Sequence, residues 1–243
     1  MNSTPKLSTF LNRCSKAALD SISPPRCLIC LEMDRMPICR ECENLMLGLP
    51  IGTCERCSAG IAGECEHCRW MSSLDWLRSA RDYEGIGGLA VRLLKFSRAM
   101  ELAKPMARML KEQELPAKCD AIIPVPIHWS RLAQRGFNQS VILAKAMLPF
   151  EGRLPMLRTD LLFRIRATPP QARARGKLRR DSLQNAFESR PCKGARILLL
   201  DDVATSGGTL EACASALKRA GASWVGGLTF ARSISTPQPN HTA

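Results

Sequence analysis

The chain has 243 residues, a formal net charge of +13 from 35 Lys and Arg against 22 Asp and Glu, and a 45% share of hydrophobic residues. This is room for one α/β domain with a genuine core plus a small module. It contains no run of eighteen apolar residues, which excludes a helical membrane span, and residues 1–14 lack the apolar stretch of a secretory signal, so a cytoplasmic location is expected.

Residues 1–23 read as an N-terminal arm. Leu7, Leu11 and Ala18, with Phe10 and Ala17 beside them, make a weak amphipathic pattern that stops before Pro24. Residues 24–70 carry four C-x-x-C pairs within forty-two residues: Cys27/Cys30, Cys39/Cys42, Cys54/Cys57 and Cys65/Cys68. Each pair puts two sulfurs on one edge of a tetrahedron, so two successive pairs complete one four-thiolate site. Sequential closure makes the shorter loops and costs less entropy than interleaving. The segment is therefore predicted to be a double zinc ribbon with two structural sites. Disulfides would need an oxidising compartment, and a redox motif would be a single pair in a βαβ setting. An iron–sulfur centre uses the same ligands, and the spacing leaves it open. His67 is a spectator between Cys65 and Cys68, and Cys14, Cys119, Cys192 and Cys213 read as small buried apolar residues. Counting each tetrathiolate zinc site as about −2 lowers the net charge to roughly +9, still basic.

After a linker over residues 70–78, a short run ends at Tyr83. A helix carrying Lys95 is predicted through Leu89, Leu93, Leu94 and Phe96, and a second over about 102–112. Cys119–Pro126 reads as a strand. Its sequel, with Arg131, Arg135, Asn138 and Gln139, precedes a helix through Val141, Leu143, Ala144 and Leu148, a second anion-facing βα unit. Residues 151–195 hold eleven Lys and Arg against four Asp and Glu, which suits either an anionic partner or a solvated basic face. Leu161–Ile165 is a candidate strand. The polar, proline-containing stretch beyond it, from Arg166, reads as a mobile lid.

Arg196–Thr209 (R-I-L-L-L-D-D-V-A-T-S-G-G-T) is the most informative segment. Ile197–Leu200 form a buried-strand run, Asp201 and Asp202 follow, and Ala204–Gly208 make a small hydroxyl- and glycine-rich loop. Leu210, Cys213, Ala214 and Leu217 then set a helix that Gly221 stops. A helix N-terminus offers free N–H groups to phosphate, and glycines let backbone approach it. Carboxylates just upstream suit hydroxyls or a metal, so the implied ligand is a sugar phosphate. Neither a Walker loop nor a dinucleotide fingerprint is present. Residues 233–243 read as a disordered tail.

The segment resembles the phosphoribosyl pyrophosphate (PRPP) motif of type I phosphoribosyltransferases. That resemblance implies a parallel-sheet α/β domain over residues 78–232. It places the ribose hydroxyls at Asp201 and Asp202, the 5-phosphate at Ala204, Thr205, Ser206, Gly207, Gly208 and Thr209, and pyrophosphate, accompanied by Mg, near Arg131, Arg135, Asn138, Gln139 and the lid residue Arg166. Together with the double ribbon, Y-E-G…L-L-K-F at 83–96, R-G-F-N-Q at 135–139 and R-A-T-P-P-Q…N-A-F at 166–187 resemble the competence protein F (ComF) family. This likeness implies PRPP binding, a role in competence and the handling of single-stranded DNA, and a protein partner in a DNA-uptake machinery. Two other readings remain: an active transferase moving phosphoribosyl from PRPP to an amine or nucleobase, and a scaffold with a decayed site. Trp70, Trp76 and Trp129 are candidates for base stacking, with core packing as their other reading.

Overall fold

The computed structural model describes residues 24–49, 52–59, 65, 68–69, 71–116, 118–148, 155–167, 183 and 185–233. The N-terminal arm, His67, Trp70, most of the lid and residues 234–243 lie outside these described residues. The chain divides into two compact units, Met1–Leu45 and Met46–Ala243.

In the first unit, helix α1 (Arg40–Asn44) follows Cys39, whose sulfur accepts from the Cys42 amide at 3.4 Å. An antiparallel bridge joins Arg26 to Met33 across the first C-x-x-C turn.

The second unit is built on a five-stranded sheet. Its strands are β1 (Trp76–Asp82), β2 (Ala121–Pro124), β3 (Met156–Leu157), β6 (Arg196–Ala204) and β7 (Trp224–Arg232), in the order β1-β7-β6-β2-β3. Every pairing in it is parallel. A short antiparallel pair, β4 (Leu162–Arg164) with β5 (Phe187–Ser189), stands apart from it. The intervening helices are α2 (Ile86–Phe96), α3 (Ala103–Lys111, entered through a 3₁₀ turn), α4 (Trp129–Arg135), α5 (Gln139–Met147) and α6 (Gly208–Arg219).

A parallel sheet is covered on both faces, so its central strands are continuously apolar. Ile197, Leu198, Leu199 and Leu200 are all fully buried, as are Val225, Leu228, Phe230 and Ala231 of β7. The predicted four-residue strand is in fact nine residues long. It runs through the acidic pair to Ala204 because β7 keeps pairing with it, Asp201 opposite Thr229 and Ala204 opposite Arg232. The expected linker over 70–78 ends sooner, since β1 already starts at Trp76 and pairs along β7. β1 is an edge strand, and its mixed burial explains its mixed composition.

The turn from β1 into α2 is unusually close. A Cβ on Gly88 would overlap the carbonyl oxygen of Tyr83, and Lys95 lies two turns further along the same helix. Gly88→Ala is therefore expected to destabilise the domain by about 3 kcal/mol, because backbone rather than a side-chain tip must move. Urea unfolding checks this, and an unchanged midpoint would contradict the close approach.

Candidate functional site

A crevice of about 310 Å³ opens at the C-terminal ends of β2 and β6. In a parallel α/β sheet this is where loops converge and ligands bind. Residues 201–210 line one side of it, so the acidic pair and the whole glycine loop named from the sequence come together. Tyr83, Lys95, Arg131, Gln139, Arg164 and Ser233 complete the polar lining.

The loop owes its shape to Gly207, the N-cap of α6, which sits at φ 76. That left-handed conformation strains any residue with a Cβ. Lacking a side chain, Gly207 also provides no cap, so the first turn of α6 keeps donors for an anion. Ser206 Oγ accepts from the Gly208 amide at 3.4 Å. Glu211, one turn on, takes no part in the crevice. Its carboxylate accepts from the amides of Ser72, Ser73 and Leu74 at 2.9–3.1 Å and ties α6 to the segment after the second cysteine group.

Because the acids lie within a strand, they turn to opposite sides of it. Asp202 is buried and its Oδ2 pairs with Lys95 Nζ at 2.6 Å. Asp201 accepts from Ser140 Oγ at 2.8 Å and from the Asp202 amide at 2.9 Å, both on Oδ1. Burial, reinforced by the neighbouring Asp202 charge, pushes the Asp201 carboxyl up to about 7 against the opposing pull of Lys95, Ser140 and the Asp202 amide. It is a carboxyl held in an environment that disfavours its charged form.

The remaining sequence candidates divide. Arg131 and Gln139 line the crevice. Arg135 donates to Gln139 Oε1 at 2.8 Å and lines an adjoining cavity. Asn138 caps α5, its Oδ1 accepting from the Ser140 amide while its Nδ2 donates to the Val125 carbonyl. Arg166 is exposed and outside the crevice lining. Sequence reasoning did not single out Lys95, Ser140 or Arg164 as site residues. Lys95 was visible as one of two cations, with Arg92, on an amphipathic helix. Arg164 sits in a strand whose partner, β5, lies more than twenty residues away in the chain. Its guanidinium stacks over the Phe187 ring at 5.3 Å.

The eight cysteines form the two groups expected, Cys27/Cys30/Cys39/Cys42 and Cys54/Cys57/Cys65/Cys68, and within each the sulfurs lie within 4.8 Å of one another. A metal–sulfur bond of about 2.3 Å sets a tetrahedral edge of about 3.8 Å. Cys30–Cys39 at 3.7 Å and Cys54–Cys68 at 3.6 Å match that edge. Burial pushes the Cys27 thiol up, but backbone amides of Cys30, Cys39 and Ile29 outweigh it and hold the thiol at about 6. The second group has a further partner. Arg232 is 1% exposed, and neither of its terminal nitrogens has a hydrogen-bond partner among the described residues. Burial pulls this guanidinium down from its usual range, and the four thiols of the second group, Cys57 foremost, oppose that pull. A tetrathiolate metal centre is anionic, so an ion held by this group would provide the countercharge that the arginine otherwise lacks.

A parallel sheet in which a nine-residue inner strand runs through an acidic pair into a glycine turn and an uncapped helix, in a chain that also carries two four-cysteine groups able to hold metal, defines an α/β protein with an anion-receiving βα turn. No family model matches the chain. Its relatives include the DNA utilization protein YhgH of Salmonella typhi, 32% identical over 82% of this chain and 86% of that protein. Competence protein F of Haemophilus influenzae is 27% identical over 81% of this chain and 92% of its own length. Competence protein ComFC of Streptococcus pneumoniae is 24% identical over 80% and 87%. The chain belongs to this ComF/YhgH family. Among solved structures, the allosteric regulatory enzyme of purine biosynthesis aligns at a TM-score of 0.37 and 18% identity, over 58% of this chain and 30% of that one. Among the described residues, no helix is long and apolar enough to cross a membrane.

Proposed function

We propose that this protein binds Mg-loaded PRPP in the crevice above β6 and serves in the use of DNA taken up as single strands. One observation carries the reading: a single crevice is acidic where Asp201 and Asp202 stand, rich in backbone donors and hydroxyls at residues 205–209, and cationic at Lys95, Arg131 and Arg164. That sequence of chemistries matches vicinal hydroxyls, a 5-phosphate and a pyrophosphate on one pentose. In this reading the α6 amides with Thr205, Ser206 and Thr209 hold the 5-phosphate. Asp201 faces the ribose hydroxyls, backed by the Asp202–Lys95 pair, while Arg131 and Arg164 take the pyrophosphate with its Mg. The names of its relatives, DNA utilization and competence, support the DNA role.

The same reading assigns zinc to both cysteine groups. Sulfurs this close together support one ion per group over a multi-iron cluster, and closed four-thiolate sites are structural.

Calorimetry with Mg and PRPP tests the ligand. One site per chain is expected, with ribose 5-phosphate and free pyrophosphate each binding more weakly than PRPP, because each fills only one end of the crevice. Absence of PRPP binding, or pyrophosphate binding as tightly as PRPP, would rule the reading out.

A further inference from the structure

The crevice has a neighbour that the sugar phosphate does not need. A second cavity of about 520 Å³ shares Lys95 and Arg131 with it and is lined further by Phe96, Arg98, Gln134, Arg135 and Phe137. Four of these seven residues are cations and none is a carboxylate. Phe96 ends α2 with 72% of its surface exposed, and the Arg135 guanidinium lies over its ring at 5.4 Å. Arg98 is held at φ 54, a left-handed conformation that is costly for arginine. Its guanidinium lies against Gly136, the left-handed C-cap of α4.

An exposed ring, a strained arginine and three arginines clustered beside the Asp202-paired Lys95 each cost stability, and such features collect where a ligand offsets them. The ligand chemistry follows from the pairing of aromatic and cation. A simple phosphate has no use for Phe96, and an apolar peptide has none for four cations. Duplex DNA offers phosphates, but its bases are already stacked. A strand with unpaired bases offers phosphates and free π-faces together.

We infer that this cavity is a nucleotide-binding subsite for single-stranded nucleic acid, with one base stacked on Phe96 and the flanking phosphates held by Arg98 and Arg135. The inference rests on the DNA role proposed above and gives it a location. Sharing Lys95 and Arg131, the strand lies beside the pyrophosphate end of the sugar-phosphate crevice. Stacking accepts any base, so the expected binding is tolerant of sequence.

The test is fluorescence anisotropy of a labelled oligo(dT) against the full-length protein over a salt series, with PRPP calorimetry on the same samples. Phe96→Ala is expected to weaken oligo(dT) binding about ten-fold with an unchanged salt slope, because it removes a stacking face and no charge. Arg98→Asn, in which asparagine tolerates the left-handed backbone, is expected to reduce the slope of log affinity on log salt by about 0.7, one phosphate contact fewer. Both variants keep PRPP binding, since neither residue lines the sugar-phosphate crevice. Wild-type affinity and slope in both variants would overturn the subsite and leave the PRPP reading standing. So would equal binding of duplex DNA or polyglutamate by the wild type. Loss of oligo(dT) binding in Phe96→Ala from a wild type that ignores PRPP would uphold the subsite and remove the PRPP reading.

Discussion

Asp201→Asn is expected to weaken PRPP binding by about 100-fold or more while making the empty protein more stable at pH 8. The two effects have one cause. Asparagine keeps an Oδ1 that can accept from Ser140 Oγ and the Asp202 amide, so the native hydrogen bonds survive. What disappears is a buried carboxylate beside another carboxylate, with its protonation pushed up to about 7 from an unfolded value of 3.8. An acid raised on folding destabilises the fold when ionised. The cost is absent below the unfolded value, grows between about 4 and 7, and is complete above the folded value. The stability gain of the variant should follow that curve, reaching about 1–3 kcal/mol at pH 8 and vanishing near pH 4. The lost carboxylate no longer accepts from ribose hydroxyls, and a charge-assisted bond to each is among the stronger contacts available. Thermal melts across pH together with calorimetry decide the matter. Full PRPP affinity in the variant would remove Asp201 from the site, and a lower melting temperature at pH 8 would contradict its raised carboxyl. Asp202→Asn is expected to differ, costing stability, because it strands the Lys95 ammonium it now pairs with.

Removing the metal proposed for the second cysteine group is expected to destabilise the α/β unit by several kcal/mol. Cys57 is fully buried and packs in the same core as Met71, Leu74, Leu77, Leu199 and Leu210. Arg56 clamps the module from within, donating to the carbonyls of Met71 and Leu74 at 2.8 and 3.1 Å. Glu211 then fastens Ser72–Leu74 to the helix that begins at the phosphate loop. Losing the ion leaves four thiols, a buried Arg232 without countercharge and a loosened anchor for α6. Cys57→Ser is expected to cost about 3–5 kcal/mol, or about 10 °C in melting temperature, together with one equivalent of the zinc proposed for the group. Cys30→Ser, on an exposed ligand of the first group and in the other compact unit, should also lose one equivalent but leave the main unfolding transition in place. Metal analysis paired with calorimetric melts separates the two. A Cys57→Ser protein that melts like wild type would show that the second centre is not part of the domain's core.

Two elements show why the secondary structure was only partly legible. β7 lies at the heart of the sheet, paired on both edges, yet W-V-G-G-L-T-F-A-R has no long apolar run because Gly226 and Gly227 interrupt it. Those glycines answer to tertiary packing. A Cβ at 227 would sit 3.1 Å from Leu77 Cδ1 on the neighbouring strand, a contact no local pattern contains. β6 was recognised by its four leucine and isoleucine residues, but its length comes from β7 pairing beyond them, which puts the acids on a strand and gives them different partners.

By itself, the order of residues along the chain settled the cysteine pairs, the acidic pair, the glycine loop and the helix behind it, since all of these work through neighbours a few positions apart. A thiol knuckle or an uncapped helix end needs only its own dozen residues to acquire its chemistry. Only the folded structure decided which distant groups meet them. Lys95 arrives from one helix, Ser140 from another and Arg164 from a separate strand, while Arg232 is buried with its charge set against the second thiol group. Tertiary placement likewise set Phe96 and Arg98 beside Arg131 and Arg135 in one cationic cavity. Charge and burial act through space, and the pairing of strands far apart in sequence determines which charges share that space.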